Sequence, residues 1–302
     1  MIQRLAIPLL AILCFAPAAA QEPLLGWYPE GPAWIGGDLY WAEMNADRVF
    51  RMENGTREPF LQGRPCGPTA ISRYREDEFI VLCHLEGRLL HMAADGGILD
   101  EITQISDGTQ LRNPNDASAD GQGGVWFTDP GQFSVDAEPE GRLYHLAPDG
   151  SLTMHADSLA YGNGVHVDQA GARLLLSEHL ARKVWSYAMV GNKLGPRELL
   201  IDLDKLEIPK PRYPEAGPDG LELGPDGTLW VAEYGSKRLL GWQPERGLVA
   251  ALEVDAPYVT NIAFGGKGQA VITGSYTNHE PHNRGGIWLF DAQILTDAAA
   301  PR

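Results

Sequence analysis

The sequence predicts an all-β fold: a six-bladed β-propeller of four-stranded antiparallel blades. Three observations carry the prediction. Short runs rich in Val, Leu, Ile, Trp and Tyr alternate with Gly, Asp, Asn and Pro, and long stretches of 3.6-residue apolar periodicity are absent. The 35 Gly and 22 Pro are spread along the chain, as many short strands joined by many turns require. The runs also fall into six similar units that open roughly 36–56 residues apart, near the period of a four-stranded blade. A pair of β-sandwiches, the other architecture considered, leaves the six similar openings unexplained.

Each unit opens on a polar or Gly/Pro anchor, continues as an apolar strand, turns at Gly or Asp, and returns through a second apolar strand before leading out into a third. The first opens at Glu30-Gly31-Pro32, returns through Asp38–Trp41 and leads out at Asp47-Arg48-Val49-Phe50. The second opens at Gly67-Pro68, returns through Glu78–Cys83 and leads out at Gly87-Arg88-Leu89-Leu90. The third uses Asn115-Asp116, Gly124–Phe127 and Gly141-Arg142-Leu143-Tyr144. The fourth uses Asn163-Gly164, Arg173–Ser177 and Arg182-Lys183-Val184-Trp185. The fifth uses Pro218-Asp219-Gly220, Thr228–Ala232 and Lys237-Arg238-Leu239-Leu240. The sixth uses Thr260-Asn261, Ala270–Thr273 and Gly285-Gly286-Ile287-Trp288. No linker-like composition shift divides residues 21–302, so they are read as one domain.

Residues 1–20 stand apart from this pattern. Arg4 supplies a positive charge, Leu5 to Phe15 is almost wholly apolar, and Ala18, Ala19 and Ala20 offer a small-residue cleavage site before Gln21. This is the layout of a secretory signal peptide, and it predicts a periplasmic or secreted protein. The apolar core is shorter than the ~20 residues a membrane span needs. Leu13 stands where a lipoprotein signal at Cys14 needs a small residue. Cys66 and Cys83 are left in the mature chain, and an even pair in an exported protein can form a disulfide. A tight turn near Tyr74–Asp77 folds Pro68–Arg73 onto Glu78–Cys83 and sets the two cysteines nearly opposite; two buried thiols are the alternative.

The 302 residues carry 24 Lys+Arg against 40 Asp+Glu, a formal charge of -16. With no Lys/Arg patch visible, this balance excludes nucleic acid as a partner. A hydrophobic content of 44% excludes wholesale disorder. No stretch after the leader could span a membrane.

A propeller gathers the opening residue of each innermost strand at one mouth of its central channel. Four of the six openings carry oxygen donors: Glu30, Asn115, Asn163 and Asp219. Two carboxylates and two amide carbonyls form a hard set, suited to calcium or magnesium rather than zinc. Pro-Asp-Gly is also a common turn, and Pro148-Asp149-Gly150 and Pro225-Asp226-Gly227 are assigned to hairpins. Asp219 differs because it precedes a strand that has its own turn at Pro225. His166 could line the channel or pack between blades. His84, His179, His279 and His282 have no regular spacing and read as surface or packing residues. Trp41, Trp126 and Trp230 recur within strands and read as core. No Gly-x-Ser-x-Gly elbow and no phosphate-binding loop is present.

Several strings resemble the regucalcin/gluconolactonase family: Glu30-Gly31-Pro32-Ala33-Trp34, Asn113-Pro114-Asn115-Asp116, Gly124-Val125-Trp126-Phe127-Thr128-Asp129-Pro130, Asn163-Gly164-Val165, Pro218-Asp219-Gly220 with Leu229-Trp230-Val231-Ala232, and Thr260-Asn261-Ile262-Ala263-Phe264-Gly265-Gly266. They occur in family order from about Glu30 to Asp291. Strictosidine-synthase-like propellers share the strand sequence from Leu176-Ser177-Glu178 to Val184-Trp185. The resemblance implies a propeller that hydrolyses lactones with a divalent metal, most simply calcium. Glu30, Asn163 and Asp219 would hold the metal, Asn115 would be a further ligand or a substrate contact, and Asp219 would be the general base. Sugar-lactone members often carry an Arg two residues before the Asn of the Asn-Asp pair. Here that position is Asn113, with Arg112 one residue further back. The loops Gln132–Glu140, Lys205–Gly217 and Tyr276–Asn283 are expected to set specificity. The competing reading is a non-catalytic propeller that binds a ligand or protein around a structural calcium.

Overall fold

The computed structural model describes residues 22–278 and 283–301. The predicted leader, residues 1–20, lies outside the described residues, as do His279 and His282. The chain has an all-β propeller fold with four-stranded blades. The first blade comprises β2 (Pro29–Ile35), β3 (Asp38–Glu43), β4 (Arg48–Glu53) and β5 (Thr56–Leu61), and the strand before it is β1 (Leu24–Trp27). Next come β6 (Pro68–Tyr74), β7 (Glu78–Cys83), β8 (Arg88–Ala93) and β9 (Ile98–Ile102). The third blade holds β10 (Ala117–Ala119), β11 (Val125–Asp129), β12 (Gly141–Leu146) and β13 (Leu152–Leu159). The fourth holds β14 (Gly162–Asp168), β15 (Arg173–Glu178), β16 (Lys183–Val190) and β17 (Lys193–Asp202). The remaining strands are β18 (Gly217–Leu223), β19 (Leu229–Tyr234), β20 (Arg238–Gln243), β21 (Gly247–Glu253), β22 (Tyr258–Gly265), β23 (Gln269–Ser275) and β24 (Arg284–Asp291).

Among the described residues, four four-stranded sheets stand separately, and an eight-stranded sheet takes the remaining strands. The larger sheet contains the run β18–β21 and the run β22–β24 with β1 at its edge; the two meet where Tyr234 of β19 pairs with Tyr258 of β22. The N-terminal β1 therefore pairs antiparallel with β24 rather than with the first blade. This joins the two ends of the chain in one sheet. The innermost strands β2, β6, β10, β14, β18 and β22 touch one another in that order, and β22 returns to β2.

The core lies between sheets, because each strand alternates its apolar face against the neighbouring blade. Trp41, Trp126 and Trp230 are completely buried, as the sequence predicts. A disulfide joins Cys66 and Cys83, with Cα atoms 4.5 Å apart, beside the β6/β7 hairpin that pairs Pro68 with Cys83. The two assigned Pro-Asp-Gly segments are turns: Asp149 Oδ1 accepts from Ser151 N–H at 2.9 Å, and Asp226 Oδ1 from Thr228 N–H at 3.1 Å. One helix, α1 (Gln293–Ala299), buries Leu295 and Ala299 and packs on β21. Seven residues are too few to show helical periodicity in the sequence. Among the described residues no helix is long and apolar enough to cross a membrane.

Candidate functional site

The innermost strands do not run straight through the channel. The register slips between Glu30 and Ala33 in β2, between Gly162 and Val165 in β14, and between Pro218 and Leu221 in β18. A bulge re-aims the side chains it carries, and Glu30, Asn163 and Asp219 sit at these three irregularities. Neighbouring inner strands approach so closely here that a Cβ is excluded. A Cβ on Gly164 would lie 2.3 Å from Asp219 O, and one on Gly31, at φ +38°, would lie 2.1 Å from Thr69 O. This explains why a glycine follows both donors.

Hydroxyls from adjacent strands then hold the donor segments. Ser177 Oγ donates to Asp219 O at 2.7 Å and accepts from Gly164 N–H at 2.7 Å. Thr128 Oγ1 donates to Asn163 O at 2.6 Å, and Thr260 Oγ1 donates to Pro29 O at 2.8 Å, beside Glu30. The bonds to Asp219 O, Asn163 O and Pro29 O each cross from one blade to the next, so the donor positions depend on ring closure.

The four predicted ligands come together. Glu30, Asn115 and Asn163 line one cavity of about 180 Å³, together with Thr69, His84, His179, Phe133 and three tyrosines. The Asp219 carboxylate lies against Glu30 electrostatically and within hydrogen-bonding reach of the Asn163 side chain. Exposures are 7% for Glu30, 8% for Asn115, and 4% for both Asn163 and Asp219, so all four are withdrawn from bulk water. The sixth opening contributes differently: Asn261 donates from Nδ2 to Asp116 Oδ1 at 3.3 Å and accepts at Oδ1 from its neighbour Ile262 N–H.

Burial is the largest cause that holds the Asp219 carboxyl well above the usual carboxylate range, followed by the charges of Glu30 and Asp116. Glu30 is likewise raised by burial and by Asp116, against a backbone hydrogen bond from Gly31 that lowers it. Among the described residues lining this cavity there is no Lys or Arg. Two buried carboxylates thus face each other without a counter-cation, an arrangement that is costly as it stands.

The donor set fits a divalent cation on this ground and on a second one. Asn163 Oδ1 is buried with no hydrogen-bond partner, although buried acceptors are nearly always satisfied. The amide is held in that sense from its nitrogen side. His179 Nε2 lies 2.8 Å from Glu215 O and therefore carries the proton, which leaves Nδ1 to accept from Asn163 Nδ2 at a long 3.4 Å. Burial pushes the His179 pKa down to about 4, so the ring is neutral and Nδ1 keeps its lone pair. Among the described residues no group of three or more His, Cys, Asp or Glu is arranged to hold a metal. The candidate set has two carboxylates and two amides.

A second cavity of about 400 Å³ lies further along the same inner strands, lined by Trp34, Asp116, His166, Glu222 and Asn261 among others. Burial raises Asp116 to about 6 and Glu222 to about 8, and lowers His166 to about 4. His166 therefore lines the channel, one of its two sequence readings.

Two expectations need correction. His84 and His179 are not surface or packing residues: both line the candidate cavity. Their signal was absent because they sit beyond the second strands, not at the repeated openings. The aromatic wall was also missed. Tyr28 and Tyr161 stand two residues before Glu30 and Asn163, a spacing visible in the sequence only once those donors are aligned.

The chain matches the family model described as SMP-30/gluconolactonase/LRE-like region over residues 28–275. It is 27% identical over 287 residues to the Bacillus subtilis protein named "Putative sugar lactone lactonase YvrE", covering 90% of this chain and 93% of that one. It is 25% identical over 291 residues to diisopropyl-fluorophosphatase of Loligo vulgaris, covering 87% and 88%. The solved gluconolactonase from Xanthomonas campestris superposes with a TM-score of 0.70 at 20% identity, covering 95% and 98%. The match over most of the chain, with the ordered donor strands in place, makes this protein a member of the SMP-30/gluconolactonase/LRE-like family.

Proposed function

We propose that this protein is an exported, calcium-dependent hydrolase that opens a lactone ring. The carrying observation is the convergence of Glu30, Asn115 and Asn163 on one buried cavity, with the Asp219 carboxylate set against Glu30 and Asn163, Asn163 Oδ1 unpartnered, and no Lys or Arg among the described lining residues. We read the eight-stranded sheet as two blades bridged by the single pair Tyr234/Tyr258, which makes six blades in one domain. The Cys66–Cys83 bridge supports an oxidising compartment and hence the leader read in residues 1–20.

Glu30, Asn163 and Asp219 would hold the ion, with Asn115 as a fourth donor or as a contact to the substrate. Calcium suits these hard, loosely arranged oxygens best. Bound there, the ion supplies a Lewis acid that draws electron density from the ester carbonyl. The chain supplies the rest. The walls exclude bulk water, which strengthens each electrostatic interaction inside. Asp219 accepts the proton of the attacking water as its oxygen bonds to the carbonyl carbon. The ring C–O bond then breaks, and Asp219 returns the proton to the departing alkoxide. Metal contact weakens a carboxylate as a base, but burial and the neighbouring acids act in the opposite sense. Position within reach of both ion and water completes its qualification.

The relative named diisopropyl-fluorophosphatase supports a second reading, attack of the same water on phosphorus. A panel of sugar, aliphatic and aromatic lactones and a fluorophosphate ester, assayed with and without chelator, separates the two. Chelator-sensitive ring opening supports the lactonase reading. Hydrolysis of the fluorophosphate alone replaces it, and no chelator-sensitive turnover leaves a binding propeller with a structural calcium.

A further inference from the structure

We propose that the mouth of this cavity is built for a neutral ring bearing an apolar or aromatic substituent, and not for a polyhydroxylated one. The identity of the ring as a lactone rests on the proposed function; the character of the wall does not.

Tyr28 and Tyr161 occupy equivalent places, each two residues before a donor, and both have left-handed backbone, φ +53° and +60°. Bulky residues rarely adopt this conformation, and it is retained where the surroundings impose it, often at functional sites. Here both tyrosines line the cavity. Phe133, in the predicted specificity loop Gln132–Glu140, completes the wall. Its ring is 37% exposed and meets Tyr161 edge-on at 4.9 Å and Tyr234 at 6.0 Å.

Several polar groups at the mouth are engaged with one another. Tyr28 and Tyr234 hydrogen-bond each other through their hydroxyls at 2.9 Å. Arg112 pairs with Glu140. Asn113 uses both ends of its amide on Gly131: Oδ1 accepts from Gly131 N–H at 2.9 Å, and Nδ2 donates to Gly131 O. His84 Nδ1 is a buried lining atom without a hydrogen-bond partner among the described residues. The rest of this stretch of wall, Tyr28, Phe133, Tyr161, Tyr234 and Met44, offers mostly aromatic and apolar surface. A hydroxyl that leaves water without a partner weakens binding, whereas an apolar group gains contact with the rings. The volume of about 180 Å³ is below the ~300–1,000 Å³ of drug-sized sites, so it admits one small ring and a short substituent.

Calorimetry on the calcium-loaded protein with two lactams tests this without turnover, since the amide ring resists opening. The probes are 5-phenyl-2-pyrrolidinone and gluconolactam. The phenyl lactam should bind at least ~10-fold more tightly, the scale of one apolar group in a matched pocket. Phe133→Ala should narrow that ratio at least ~5-fold, and Phe133→Leu should retain most of it. Equal affinities, tighter binding of gluconolactam, or no measurable binding of the phenyl lactam overturns the inference. If the phenyl lactam is preferred while no lactone is turned over, the proposed function falls and this inference stands.

Discussion

Replacing Asp219 by Asn separates catalysis from metal holding. The substitution keeps size and one oxygen donor, but it removes the charge and the proton acceptor. In the metal-free protein Asp219 is opposed by burial and by the charges of Glu30 and Asp116, so neutralising it relieves repulsion. Metal-free D219N should therefore melt above metal-free wild type. With calcium the order should reverse. A site filled at 100 times its dissociation constant stabilises the fold by about 2.7 kcal/mol, and in a chain near this size each kcal/mol moves Tm by roughly 2–4 °C. Calcium should thus raise the wild-type Tm by about 5–10 °C and the variant's by clearly less. Turnover at saturating calcium should fall by roughly 10²-fold, the scale of losing a general base. Scanning calorimetry across a calcium series and kcat on the best lactone provide both readings. If kcat recovers fully once calcium saturates the variant, Asp219 serves only as a ligand and the base assignment is wrong. If the metal-free variant melts below wild type, the picture of two uncompensated carboxylates is wrong.

Three further outcomes are expected. His179→Leu, which removes the acceptor that orients the Asn163 amide, should weaken calcium binding by ~10–100-fold, the scale of outer-shell partners; His179→Asn, which keeps an acceptor at the Nδ1 position, should restore most of it, and equal loss in both variants would refute the orienting role. Burial pushes the Glu222 carboxyl up to about 8, from an ordinary glutamate value of about 4.3, so the native state retains a proton that the unfolded chain gives up; the stability this contributes is fully present below the ordinary value and is lost as pH rises through about 8. Denaturation of Glu222→Gln should accordingly gain at least about 1 kcal/mol on wild type between pH 5 and 8, one pKa unit being worth about 1.4 kcal/mol, and parallel pH profiles would contradict it. Reducing the Cys66–Cys83 bridge, which closes a 17-residue separation, should lower stability by about 3 kcal/mol in the chain-entropy account; two thiols titrating freely in the untreated native protein would show that no bridge forms.

What the sequence determined by itself is the part of this protein that is local. Alternating apolar runs and turn residues locate the second strands within a residue or two: Glu78–Cys83 is reproduced, and Arg173–Ser177 extends by one residue. Such periodicity needs only neighbours a few residues apart. The hairpin that brings Cys66 to Cys83 is local for the same reason. Repetition made the donors legible, since four openings with oxygen side chains stand out only when units are aligned, and a ring places equivalent residues together. Ring closure and the bulges decided the rest. Pairing of β1 with β24 joins residues some 260 positions apart, and no local pattern encodes it. Tyr28 OH meets Tyr234 OH across 206 positions, and the aromatic wall exists only because both rings arrive at one mouth. His179 looks like an isolated histidine until Glu215 fixes its tautomer and Asn163 takes its lone pair. The unpaired state of the two carboxylates is tertiary as well, because it depends on which cations the fold leaves out of the cavity, and charge counts along a chain carry no information about that.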